Sequence, residues 1–329
     1  SDKAARDAVT LFKPATATRV RYSMYTDTPM PVDEPMAENP PDGAVIEYRL
    51  AANASGPVKL EIVGEKGRVI RTFSSTDKFD PPQDDGNAPW YWFRVGKPLP
   101  ATAGIHRMVW DLHYERPTGQ PCSLPISATP RQTKCEPEGP FVAPGPYTAR
   151  LTVGDQAYTQ TFAVRMDPRV KASATAIAQQ TALSLGLYDA HETSVARQAT
   201  ARELRAALAD RKTRTPSLAA AIDSLDAKIV AIAGAGGAGG RGGRGGGRGG
   251  APAAGSSGET FASTAASVLG PLNVLQDADE QPVTAVVAGA TERITAFKAL
   301  EARWAAVTTD LTSLNLKFKA AGLGEIAVR

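Results

Sequence analysis

The sequence predicts an α+β chain, an antiparallel β-sandwich ahead of an antiparallel four-helix bundle. Three observations carry that expectation. Most of the proline, tyrosine and tryptophan lies before residue 172, whereas Ala, Leu, Thr, Arg and Gly dominate after it. Several segments of the first half alternate apolar and polar residues with period two. Segments of the second half repeat apolar residues every three or four positions. At 329 residues the chain is long enough for two domains.

Residues 1–43 read as an extended lead-in, in which Leu11–Pro14 and Thr18–Tyr22 could pair as a short strand. The proline-rich stretch that follows fixes φ and removes donors, so it should run as a surface connection. The β domain is drawn at 44–166. Ala44–Leu50 is its first strand. Val58–Val63, the turn 64–67 and Arg68–Phe73 form a hairpin with Val58, Leu60 and Ile62 on one face. Residues 74–89 read as a polar loop and Trp90–Phe93 as a short strand. Ile105–Tyr114, Tyr147–Val153 and Ala157–Val164 complete the set. Short strands joined by long loops suit an Ig-like sandwich. In the alternation of Ile105, Arg107 and Val109 against His106, Met108 and Trp110, the second set faces inward.

Asp167-Pro168-Arg169 ends the β half. The bundle is drawn at 172–329. A first helix runs over 172–210 with Ile177, Leu187, Val195, Leu204 and Leu208 among its apolar positions. Pro216 opens a second, capped by Thr215, with a seam of Leu218, Ile222, Leu225, Ile229 and Ile232. A third spans 258–276 with Phe261, Val268, Leu272 and Leu275. Pro282 opens a fourth, whose seam runs Val283, Val287, Ala290, Ile294, Phe297, Trp304, Val307, Leu311, Leu314 and Phe318. Narrow apolar stripes on four helices argue for an antiparallel bundle. Between the second and third helices, the Gly/Arg loop 234–257 offers nothing to bury against the entropy of ordering glycine, so disorder is expected there.

The net charge of +3 is small for this length, and charges of both signs are interspersed, which argues against a nucleic-acid-binding surface. Arg241, Arg244 and Arg248 stand in the glycine tract without interleaved aromatics, so the tract reads as a tolerated insertion rather than an RNA-binding segment. It lacks the preceding strand and the Lys-Ser or Lys-Thr of a phosphate loop. No apolar run reaches membrane-spanning length. The polar sequence at Ser1 carries no signal-peptide pattern, as a mature or truncated chain would not.

Cys122 and Cys135 lie in one proline-rich loop with no CxxC and no histidine close by in sequence, so no metal is expected on them. A disulfide is the favoured reading, and it implies a periplasmic or extracellular compartment; two free thiols in a cytosolic loop are the alternative. His106 and His113, seven apart on one strand, would point to opposite faces and could not share a metal there, whereas Asp111 and His113 share a face. No nucleophile completes a triad with them, and both histidines read as surface or boundary residues. His191 reads as a solvated helix residue. Asp77, Asp80, Asp84 and Asp85 crowd one loop, but their spacing fits no compact calcium loop. No catalytic residue, metal ligand or cofactor site is assigned. Trp90, Tyr91, Trp92 and Phe93 form the best binding candidate, a surface for sugar or a partner, set against packing on both faces of the strand.

The motifs Glu38–Tyr48, Leu60-Glu61-Ile62 with Gly67–Arg71, Gly104–Leu112, Pro144–Tyr147 and Asp167–Arg169 occur in an order that resembles the C-terminal region of bacterial secreted proteins built on a sortilin-type, BNR-repeat β-propeller. Many of these are labelled glycosyl hydrolase or sialidase-like. The β part is also similar to the Ig-like domain of flagellar hook capping proteins. The resemblance covers about residues 38–170. It implies a non-catalytic interaction region of an exported protein, with a β-propeller domain of the same gene product or another exported protein as partner. Any sugar-cleaving site would belong to the propeller, and no Asp-box, Ser-x-Asp-x-Gly-x-Thr-Trp, occurs in these residues. Two alternatives stand beside this reading: an accessory part of a glycoside hydrolase, and an RNA-binding scaffold using the Arg-Gly-Gly loop.

Overall fold

The computed structural model describes residues 7–21, 33–35, 40–79, 96–122, 135–234 and 259–327. The protein is α+β, and it divides into two compact units: Ser1–Thr181 with Gln276–Gln281, and Ala182–Leu275 with Pro282–Arg329. The aromatic segment Trp90–Phe93 lies outside the described residues, as does the glycine tract beyond Gly234.

The first unit holds two sheets. One has the order β1-β3-β6, where β1 is Val9–Leu11, β3 Ala44–Leu50 and β6 Gly104–Trp110. The other has the order β2-β8-β7-β4-β5: β2 is Ala17–Arg19, β4 Val58–Val63, β5 Val69–Ser74, β7 Gly145–Val153 and β8 Gln156–Met166. Alternate residues of the strands face a common core: Ala44, Ile46, Tyr48 and Leu50 from β3, Val58, Leu60 and Ile62 from β4, and Tyr147, Ala149 and Leu151 from β7 are all buried. This is the period-two pattern read in the sequence, realised with the large residue Trp110 fully buried and Ile105 68% exposed on the opposite face of β6. The hairpin β4–β5 turns through Glu65–Gly67, where Lys66 (φ 56°) and Gly67 (φ 77°) take the left-handed conformation that reverses the chain.

Three boundaries differ from expectation. The lead-in supplies β1 and β2, which join separate sheets; a strand of three residues is too short to show a period. β2 runs parallel to β8, in register Ala17↔Val164 to Arg19↔Met166, so the second sheet is mixed rather than wholly antiparallel. The strand expected over Ile105–Tyr114 stops at Trp110. Leu112, 1% exposed, has φ 63°, a left-handed backbone that is rare for a residue with a branched, bulky side chain and that breaks the alternation.

The helices are α1 (Ala174–Arg214), α2 (Ala219–Ala233, entered through a 3₁₀ turn at Pro216–Leu218), α3 (Phe261–Ser267), α4 (Leu269–Gln276) and α5 (Thr284–Ala320). The expected helix over 258–276 is thus two short helices end to end. Pro271 has no N–H to donate to the preceding turn, and Gly270 beside it adds little helical preference. Thr260 caps α3 in a reciprocal capping box with Ser263.

In the second unit, Leu204 and Leu208 of α1, Ile222, Leu225, Ile229 and Ile232 of α2, Phe261 of α3, and Leu300, Trp304, Val307, Leu311, Leu314 and Phe318 of α5 form one apolar cluster. The predicted seam of α2 is buried, with Leu218 partly so. Val283 departs from its predicted seam and is 62% exposed, because it is the N-cap of α5 with extended backbone and falls outside the helical period. His191 is a further correction: it is 1% exposed, and its Nδ1 meets the Ala265 carbonyl at 2.9 Å. It lies four residues beyond the buried Leu187 on the inward stripe, so its position on the helix, not its polarity, decides its burial. Among the described residues no helix is long and apolar enough to cross a membrane.

Candidate functional site

Beyond Trp110 the chain makes an excursion that returns at β7. Its two arms meet through an isolated antiparallel bridge, His113↔Phe141. Tyr114 N–H donates to the Pro140 carbonyl at 3.0 Å, and Val142 N–H donates to the Leu112 carbonyl at 2.9 Å. Directly opposed residues of an antiparallel pair share a face, which brings the His113 ring to 3.7 Å, centroid to centroid, from the Phe141 ring. Gly139 permits the close approach of the arms: a Cβ there would stand 2.2 Å from the Glu115 carbonyl oxygen. Trp110 anchors the base of the excursion by donating its Nε1–H to the His113 carbonyl at 2.9 Å.

Three chemistry-bearing side chains converge here. One donor atom each from Asp111, His113 and Glu138 lies within 4.8 Å of the others. His113 is buried, and Asp111 and Glu138 are partly exposed. His113 Nδ1 lies 2.8 Å from the Asp111 carbonyl oxygen, an acceptor, so Nδ1 carries the hydrogen and donates it. Nε2 lies 3.7 Å from Glu138 Oε2. The Asp111 carboxylate accepts from the His113 backbone N–H at 3.3 Å and lies 4.0 Å from Nδ1.

Burial therefore corrects the surface reading of His113. His106 is partly buried, its Nε2 2.7 Å from the Thr102 carbonyl oxygen and its ring 5.2 Å from that of Tyr48. The sequence reading paired Asp111 with His113 but missed Glu138. The left-handed turn at Leu112 brings Asp111 and His113 together, and the returning arm supplies Glu138. Cys122 and Cys135 are joined in a disulfide, with their Cα atoms 5.1 Å apart, closing the same excursion at its far end. Of the loop carboxylates, Asp77 accepts from Ser74 N–H at 2.7 Å, a local turn contact; Asp80, Asp84 and Asp85 lie outside the described residues.

Two arginines also approach Phe141. The Arg19 and Arg21 guanidinium carbons lie 4.9 and 4.7 Å from the Phe141 ring centroid. Arg19, 1% exposed, donates to the Val142 carbonyl at 2.8 Å and pairs with Asp279; Arg21 Nε lies 2.9 Å from the same carboxylate. Burial drives the Arg19 guanidinium below its usual range, although the Asp279 charge opposes the shift.

Several other carboxylates of this unit are held in ion pairs. Glu61 meets Arg150 at 2.8 Å and Lys59 at 3.0 Å, Glu47 meets Arg107 at 2.6 Å, and Asp167 forms a forked pair with Arg169. Burial alone would raise the Glu61 carboxyl, but the hydrogen bonds from Arg150 and Lys59 outweigh it and hold the group below the usual range. Hydrogen bonds from Arg169 lower Asp167 likewise. Carboxylates so held can orient strands and arms, but they are poor proton donors at neutral pH.

Compared with protein-family models, curated proteins and solved structures, the chain matches none.

Proposed function

We propose that this chain is a non-catalytic structural and interaction region of an exported bacterial protein. In this reading an Ig-like sandwich is followed by an antiparallel four-helix bundle, and the region packs on a β-propeller of the same gene product or binds another exported partner. The observation that carries it is the commitment of carboxylates to arginines: Glu61 to Arg150, Glu47 to Arg107, Asp167 to Arg169 and Asp279 to Arg19 and Arg21. A glycosidase needs one carboxyl kept protonated and a second facing it across a cleft. Ion pairing to arginine opposes the first requirement and occupies the second. The Cys122–Cys135 bond supports an oxidising compartment, periplasmic or extracellular. The packing of Trp110 against Tyr147 and Phe162 supports the sandwich.

The purified chain is expected to release no reducing ends or aryl leaving groups from a broad glycoside panel. Turnover abolished by a single Asp or Glu substitution in a protein that still folds would overturn the non-catalytic reading. The partner half is checked on the full gene product: propeller repeats ahead of Ser1, and their co-purification with this region when the two are produced separately, are the expected result. A gene product without such repeats would overturn packing on a propeller of the same gene product and leave only the exported partner.

A further inference from the structure

We propose that the Cys122–Cys135 bond is a site of thiol–disulfide exchange with an external dithiol, attacked at Cys122 and releasing a Cys135 thiolate beside Arg116. The arm that leaves β6 turns back at residues 117–120. Gln120 N–H donates to the Pro117 carbonyl at 3.3 Å, and Gly119, at φ 78°, supplies the left-handed residue that such a turn needs. The Gln120 carbonyl then accepts from Arg116 Nη2–H at 2.6 Å. Held there, the guanidinium brings Nη1 to 3.0 Å from Cys135 Sγ. A disulfide sulfur is only a weak acceptor for so strong a donor. Among the described residues no carboxylate pairs with Arg116, and its Nε is buried without a hydrogen-bond partner. A thiolate at Cys135 would supply the missing negative charge, so the guanidinium favours the broken bond over the intact one at this sulfur.

Access decides which sulfur is attacked. Cys122 is exposed and Cys135 is half-buried. A thiolate of the dithiol forms a bond to Cys122 Sγ; the Cys122–Cys135 bond breaks, and its electron pair leaves on Cys135 Sγ. The second thiol of the dithiol gives its proton to solvent and attacks its partner sulfur in the mixed disulfide. Cys122 leaves and takes up a proton. Two electrons have then passed to the chain, and the dithiol ends as a disulfide. A stabilised leaving thiolate speeds the first step. The arms come apart at their far end, while the hydrogen bonds Tyr114–Pro140 and Val142–Leu112 still join them at the base. This chemistry stands independently of the interaction role proposed above.

The test uses the purified full chain without denaturant. Glutathione, a single thiol that stops at the mixed disulfide, is added with iodoacetamide present, and the products are mapped by peptide mass spectrometry. Glutathione on Cys122 with alkylated Cys135 should exceed the reverse adduct by at least about fivefold, because both access and the leaving group favour it. Dithiothreitol serves as the dithiol for the full reduction. Arg116→Gln should slow that reduction by about threefold or more and erode the adduct preference, and Arg116→Lys, which keeps the charge, should restore most of both. Circular dichroism checks that the variants are folded, and the wild-type adduct pattern decides the matter if Arg116→Gln is not. A bond reduced only after denaturation, or adducts shared evenly between the two cysteines, would overturn the assignment. So would a folded Arg116→Gln chain with the wild-type rate and preference.

Discussion

Trp110→Ala tests the core of the β unit most directly. The side chain is fully buried; its ring makes edge contacts with Tyr147 at 5.7 Å and Phe162 at 6.2 Å, and its Nε1–H donates to the His113 carbonyl at 2.9 Å. Truncating a buried tryptophan costs about 3–5 kcal/mol. Two aromatic contacts worth about 0.5–1.5 kcal/mol each and a hydrogen bond worth about 1 kcal/mol put this site at the upper end of that range. Trp110→Phe keeps a ring but leaves the His113 carbonyl without this donor, and should cost about 1–3 kcal/mol. The assay is urea denaturation of the full chain, with hydrogen exchange of peptides from 145–166 separating this unit's unfolding from that of the helices. A loss below about 1 kcal/mol for Trp110→Ala would refute the reasoning, since no deeply packed tryptophan is that dispensable.

Asp279→Asn should destabilise by about 3–5 kcal/mol, because it leaves the buried Arg19 charge uncompensated; Arg21→Met, at a more exposed position, should cost less, and equal losses in the two melts would contradict this account. Glu61 has a depressed folded-state pKa, so its stabilisation is present above the unfolded carboxylate pKa of about 4.3 and is lost as pH falls through the folded value. Glu61→Gln should therefore cost about 1 kcal/mol at neutral pH, and the gap between the two proteins should close in acid; a constant gap across a pH series of melts would reject the linkage. Non-reduced peptide mapping of protein from its native compartment should yield the Cys122–Cys135 pair, and reduction should cost about 3 kcal/mol for a loop of this size. Freely alkylated thiols in that material would remove the support for export.

Some elements are legible because their signal is local. The alternation of Ala44–Leu50 and of Gly104–Trp110 matches the observed faces, and the four-three-four-three spacing of Leu218, Ile222, Leu225, Ile229 and Ile232 lies on a single helical stripe facing the apolar cluster. A strand or helix exposes its faces at a fixed period, so a run of six or more residues records which side is buried. β1 and β2 are too short to make such a record, and Val283 leaves the seam because it is the cap residue just ahead of the helix, where the helical period does not hold.

The rest was decided by the path of the chain in space. Arg19 and Asp279 stand 260 residues apart, and nothing near either predicts the other. His191 is polar but lies on a buried stripe, and Asp111 and His113 meet Glu138 because Leu112 turns left-handed and the returning arm comes back at Gly139. The sequence by itself determined which segments become strands and helices and which of their faces shun water, since those choices are made within a few residues. Which charges pair and which donor atoms converge depends on distances between segments remote along the chain, and only the folded backbone sets those.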